Sequence, residues 1–148
     1  MDLGPPRELV SDEDIGALLR GVHRVAVLGI KTEEQASQPA FYVPRYLVDA
    51  GLDVVPVPVY YPDVRRILGR DVHRTIAAIP PPAVDLVDVF RRPADVKAHV
   101  PDLLTARPRA VWLQLGIRDD AAAAEMVNAG IYVVQDRCLM VDHRRFCG

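Results

Sequence analysis

No stretch of this sequence is apolar for long enough to cross a bilayer, so no membrane span is expected. Basic residues form no block beyond the arginine pairs at 65–66, 91–92 and 144–145, and the net charge is −2. That balance gives no reason to expect a nucleic-acid partner. Cysteine is scarce as well: Cys138 and Cys147 do not make a disulfide framework. The acidic start, MDLGPPRELVSDED, lacks the apolar core of a secretory signal. A cytoplasmic location is therefore expected. Repeats and low-complexity segments are absent. What is present suits one soluble domain spanning 1–148: half the 148 residues are apolar and 26% are charged. Residues 1–10 are Pro-rich and expected to be loosely held.

The chain alternates strand-like and helix-like segments. Ser11 and Asp14 resemble a helix amino-cap, ahead of an apolar stripe of Ile15, Leu18 and Leu19 closed by Gly21. Val25, Ala26, Val27 and Leu28 read as a strand buried on both faces and ended by Gly29. A polar loop, 31–38, leads to a helix carrying Pro44. Because proline lacks an N–H, regular helix is expected to begin no earlier than about Phe41, with Val43, Leu47 and Ala50 inward and Gly51 at its end. A strand follows at 53–57, then a rigid exit loop from Pro58. Residues 63–71 read as a short helical turn closed by Gly69, 72–74 as a brief strand, and Thr75 as the cap of a short helix.

Further strands fall at 84–90, 110–116 and 131–134, with helices at 94–106, kinked by Pro101, and 119–130. This alternation predicts a single α/β domain, a Rossmann-like doubly wound parallel sheet in three layers. The natural strand order is 3-2-1-4-5, with the 72–74 strand at one edge open to a homodimer. Ligands on such sheets sit beyond the strands' carboxyl ends, where the winding reverses. That point falls between the strands at 24–29 and 84–90. The loop between the first strand and its helix combines free N–H groups with a positive dipole, which suits a phosphate.

The usual dinucleotide signature is missing. There is no G-x-G-x-x-G, no acidic residue at the tip of the second strand, and no G-x-x-x-x-G-K-[ST]. Asp85 and Asp88 are unusual in a central strand and read as caps for neighbouring loop N–H groups. Cys138, just past the last strand, is either a buried structural thiol or one activated by Arg137. Cys138, His143 and Cys147 form a weak C-x4-H-x3-C metal pattern, and no metal is expected.

The ordered pieces VAVLG, QPAFYVPRYL, GLDVVPV, VDVFRRP, WLQLGI and AGIYVVQDRC resemble the small stand-alone CoA-binding proteins. Their fold is that of the amino-terminal domain of the succinyl-CoA synthetase alpha subunit. The resemblance runs from about Ser11 to His143 and implies CoA as the ligand. By position, Gly29, Ile30, Lys31, Ser37, Gln38 and Pro39 would hold phosphates, and Val57, Pro58 and Tyr60 would border the adenosine. Phe90, Arg91, Arg92 and Pro93 would flank the nucleotide or pantetheine arm, and Gln114 with Gly116 would form the far wall. Cys138 would stand close enough for a mixed disulfide with CoA. Three departures are visible. The family's Asn-Pro-Lys is Pro58-Val59-Tyr60 here, the first loop carries Glu33 and Glu34, and Ala40 replaces a small hydroxyl residue.

No catalytic set converges on this site, and the phosphorylated histidine of the synthetases has no counterpart. The expectation is a non-catalytic CoA or acyl-CoA binding module, serving sensing, buffering or presentation to an unidentified protein partner. The alternative is an NAD(P)-binding oxidoreductase-like or redox-sensing protein using Cys138.

Overall fold

A computed structural model describes residues 3–148. In chain order the elements are α1 (Asp12–Arg20), β1 (Arg24–Leu28), α2 (Pro39–Asp49), β2 (Asp53–Val57), β3 (Arg66–Ile67) and β4 (Arg70–Asp71). There follow β5 (Leu86–Val89), α3 (Pro93–Val96), α4 (Val100–Ala106), β6 (Ala110–Leu113), α5 (Asp120–Asn128), β7 (Tyr132–Val134) and α6 (Leu139–Cys147). Five strands make one parallel sheet in the order β2-β1-β5-β6-β7. The chain leaves β1 outward to β2, then returns to the other side of β1 for β5. The reversal therefore lies between β1 and β5, as the sequence pattern predicts.

The strands are apolar on both faces because both faces are covered. Val25, Val27, Leu86 and Trp112 pack under α1, α2 and α6, while Ala26, Leu28, Val87, Val111 and Leu113 pack under α3, α4 and α5. Each buried valine or leucine among them contributes roughly 1.5–3 kcal/mol by leaving water. Trp112 is fully buried, and its indole Nε1 donates to the Arg137 carbonyl at 2.7 Å. No helix among the described residues is long and apolar enough to cross a membrane.

Several expectations need correction. Residues 63–71 hold a β-hairpin, not a helical turn: Leu68 and Gly69 have φ of 53° and 72°, the left-handed pair that closes a two-residue loop. Gly69 supplies half of that left-handed turn and ends no helix. Residues 72–74 form no strand. The outer edge of β2 is instead met by the segment after the hairpin, where the His73 N–H donates to the Pro56 carbonyl at 3.0 Å. The open edge on which a homodimer was argued is thus covered along that stretch. The same geometry explains why Pro56 is tolerated in β2: its backbone faces outward, where no ladder N–H is needed.

Thr75 caps only a single turn, accepting from the Ala78 N–H at 3.1 Å. The predicted helix at 94–106 is three pieces, with a 3₁₀ turn at Lys97–His99 and Pro101 in the first turn of α4, where its missing N–H costs nothing. α2 starts two residues earlier than expected, with Pro39 at its head and Pro44 inside it. Pro44 leaves the Ala40 carbonyl without its helical partner, and the Lys31 N–H takes that place at 3.0 Å. The proline thereby fastens the loop after β1 to the helix that follows. Ala50, expected inward, is exposed.

The Pro-rich start lies along β7: Leu9 N–H donates to the Val133 carbonyl at 2.8 Å, and Leu9 is buried. Residues 1 and 2 of that segment lie outside the described residues. The final residues form the amphipathic helix α6, which packs on α1 and α2.

Candidate functional site

At the carboxyl ends of the strands, Gly29 carries the chain out of β1 with φ of 86°. Its N–H donates to the Val57 carbonyl at 2.9 Å, and a Cβ built on it would lie 2.2 Å from the Phe90 carbonyl oxygen. Only glycine allows the exits of β1 and β5 to run this close. Beside that crossing opens a cleft of about 410 Å³. It is lined by Lys31, Gln38, Pro39 and Ala40 from the first loop and α2, and by Tyr60 from the loop after β2. Phe90, Arg91, Arg92 and Pro93 come from the exit of β5, and Gln114, Leu115 and Ile117 from the exit of β6.

Nine residues singled out from the sequence therefore meet in one place: Lys31, Gln38, Pro39, Tyr60, Phe90, Arg91, Arg92, Pro93 and Gln114. The first turn of α2 faces the cleft. Pro39 has no N–H, and the Phe41 and Tyr42 N–H groups turn back to the Gln38 carbonyl at 2.9 Å, so the attraction for an anion there comes from the positive end of the helix dipole. Lys31 Nζ donates to Gln38 Oε1 across the loop. Arg91 is the better anchored of the two arginines. Its side chain is 14% exposed, its Nε donates to His99 Nε2 at 3.2 Å, and its Nη1 lies 3.4 Å from the Tyr60 hydroxyl. The guanidinium also sits 5.6 Å from the Tyr60 ring centroid. That hydrogen bond and charge hold the Tyr60 phenol below its ordinary value. Arg92 is exposed and pairs with Asp95 at 2.8 Å, which lowers the Asp95 carboxyl.

The remaining candidates stand outside the cleft lining. Ile30 and Val57 are core residues, Pro58 is buried, and Ser37 is exposed in the turn before α2. Gly116 turns away with φ of 84°, its N–H held by Asp136 Oδ1 at 2.6 Å. This turn breaks the strand alternation, which is why Leu115 and Ile117 line the cleft although sequence reasoning chose Gly116. Leu115 is 67% exposed at the rim. Cys138 is the half-buried cap residue of α6 and does not line the cleft. Arg137, invoked to activate it, spends its guanidinium on Asp142 at 2.7 Å and Asp12 at 3.1 Å.

Neighbouring side chains have other duties. Glu33, one of the departures from the family pattern, accepts the Leu68 N–H on Oε2 at 2.8 Å and ties the hairpin to the first loop. Arg74 donates to the carbonyls of Tyr61 and Val64 at 3.0 and 2.7 Å, bracing the turn that carries Tyr60. Arg66 and Arg70 serve the hairpin itself.

Asp85 behaves as its sequence position suggested, accepting from the His23 and Arg24 N–H groups at 2.8 and 2.9 Å. Asp88 does not. It is fully buried in the middle of β5, neither oxygen has a hydrogen-bond partner among the described residues, and burial pushes its carboxyl well above the ordinary range. His143 Nδ1 is engaged with the Tyr46 hydroxyl at 2.9 Å. The described residues bring no three His, Cys, Asp or Glu side chains together as a metal site.

Comparison with known proteins bears directly on this geometry. Residues 23–144 match the family model described as CoA binding domain. An uncharacterised protein of Bacillus subtilis (strain 168), YneT, is 26% identical over 133 residues, covering 90% of this chain and 94% of YneT. A solved structure from Thermus thermophilus is 39% identical, with a TM-score of 0.82 and coverage of 93% of this chain and 99% of that one. Acetyl-coenzyme A synthetase 1 of Ca. Korarchaeum cryptofilum shares the fold at 16% identity and a TM-score of 0.66. That match takes in 80% of this chain and 27% of the synthetase. With most of its length matched by the family model and its strand ends arranged around one cleft, this chain belongs to the CoA-binding domain family.

Proposed function

We propose that the cleft between the exits of β1, β5 and β6 binds CoA or an acyl-CoA, and that the protein acts by holding this ligand, without a catalytic step of its own. One observation carries the reading. Two arginines, a lysine, two aromatic rings and the head of a helix converge on a single opening at the reversal of the sheet. A CoA molecule presents complementary chemistry: phosphates for the cations and the positive end of the helix, an adenine for a ring face, and an apolar arm for Phe90, Pro93, Leu115 and Ile117. The ligand would then be offered to an unidentified protein partner, or simply buffered.

Titration calorimetry with CoA, acetyl-CoA and NADH tests this. CoA or acetyl-CoA is expected to saturate one site per chain. Saturation by NADH at micromolar concentration, with no CoA binding, would reject the proposal. Arg91→Ala is expected to weaken CoA binding by about 1–3 kcal/mol, the worth of a charge-assisted contact. An unchanged affinity would remove Arg91 from the site. Arg74→Ala should also weaken binding, by about 1 kcal/mol, through the loosened Tyr60 turn. Circular dichroism should show the fold intact in that variant.

A further inference from the structure

The guanidinium of Arg91 meets three side chains, and the contacts are unequal. Nε to His99 Nε2 is 3.2 Å, whereas Nη1 to the Tyr60 hydroxyl is 3.4 Å and Nη2 to Asp95 Oδ2 is 3.6 Å. The inner edge of the fork is held and the two outer nitrogens are only loosely engaged. An arginine held this way faces a ligand with its terminal N–H groups available and its swing about the last torsions restricted. His99 lies in the 3₁₀ turn between α3 and α4, outside the cleft lining, and sequence reasoning passed over it.

We propose that His99 is a positioning residue for the ligand site: its neutral imidazole accepts the Arg91 Nε–H and aims that guanidinium at the phosphates of the bound CoA. This rests on the cleft being the CoA site. The contact requires an unprotonated Nε2, so the ring carries its proton on Nδ1. The charged groups facing the ring are Arg91, Asp95 on α3 and Asp102 on α4. Asp102 spends its carboxylate on the N–H groups of Ile76 and Ala77, at 2.8 and 2.9 Å. Burial first, and then the Arg91 charge, keep His99 below its ordinary value of 6.5, against the opposing pull of the two carboxylates. At neutral pH the imidazole is therefore an acceptor. Protonation removes the lone pair and sets a second positive charge beside the guanidinium, so Arg91 loses its hold.

Titrating CoA into the wild type, His99→Leu, His99→Gln and Arg91→Ala tests the assignment. Leucine removes the acceptor, while the glutamine amide oxygen can restore it without titrating. At about pH 7.5, His99→Leu is expected to weaken CoA about five- to tenfold and His99→Gln to stay within about twofold of the wild type. Between about pH 8 and about pH 5.5, the wild-type affinity should fall relative to that of His99→Gln. Taking this ratio cancels protonation of the ligand itself.

Wild-type affinity for His99→Leu, with Arg91→Ala weakened, would overturn the positioning role and leave the cleft standing. A flat ratio with pH would do the same, as would tighter wild-type binding in acid, which would make His99 a second cation for the ligand. If neither the wild type nor any variant binds CoA, the cleft reading itself fails, and this inference with it.

Discussion

Gly29→Ala is expected to cost about 3 kcal/mol or more of folding stability, read as the shift in a urea or thermal unfolding curve. Two effects add. The backbone at Gly29 has φ of 86°, a region where any Cβ is strained. The new methyl would also meet the Phe90 carbonyl oxygen at 2.2 Å, and that atom belongs to the exit of β5 rather than to a side chain that can rotate away. Relief requires β1 and β5 to separate at the mouth of the cleft. Whatever folded protein remains should therefore bind CoA more weakly than either Arg91→Ala or Arg74→Ala does. A stability loss under about 1 kcal/mol would show that the two exits slide apart easily and that their close approach does not matter.

Asp88→Val should stabilise the protein at neutral pH by about 1–3 kcal/mol, the ordinary cost of a buried polar group without a partner. The site lies between Val27 on β1 and Trp112 on β6, both fully buried, and a β-branched side chain suits it. The pH dependence follows from the sign of the shift. Burial raises the folded-state pKa above the unfolded value of 3.8. The folded state thus holds a proton that the unfolded state releases, and Asp88 opposes folding increasingly as pH rises from about 4 toward its folded pKa. Wild-type stability should decline across that window relative to Asp88→Val, and the advantage of valine should be smallest near pH 4. Equal stabilities of the two proteins at pH 4 and pH 7 would mean that the carboxyl is satisfied and not held neutral by burial. Asparagine at the same place keeps an unpartnered polar group, so Asp88→Asn should remove the pH dependence without recovering the full gain.

The parts of the fold legible in the sequence are those whose local pattern agrees with their tertiary surroundings. Apolar runs such as VAVL and AVWL could belong only to strands covered twice, and Ser11, Gly51 and Gly130 mark helix boundaries through backbone chemistry that needs no long-range partner. The hairpin at 66–71 was missed because Gly69 serves equally as a helix stop and as half of a left-handed turn, and nothing local separates the two. Pro44 misled for a related reason. Proline inside a helix is costly unless another donor reaches the freed carbonyl, and that donor, the Lys31 N–H, lies thirteen residues before it.

By itself, the sequence determined the sheet, the place where its winding reverses, the family, and nine of the residues that line the cleft, because strand exits at a reversal must converge. Tertiary structure alone decided what each side chain does there. Glu33 is turned to the hairpin, Arg74 to a loop, Arg137 to two carboxylates, and Arg91 to His99. Position along a strand says which residues arrive at an edge. Which partner a long charged side chain then takes depends on hydrogen bonds made across the fold, between residues whose separation in sequence carries no signal.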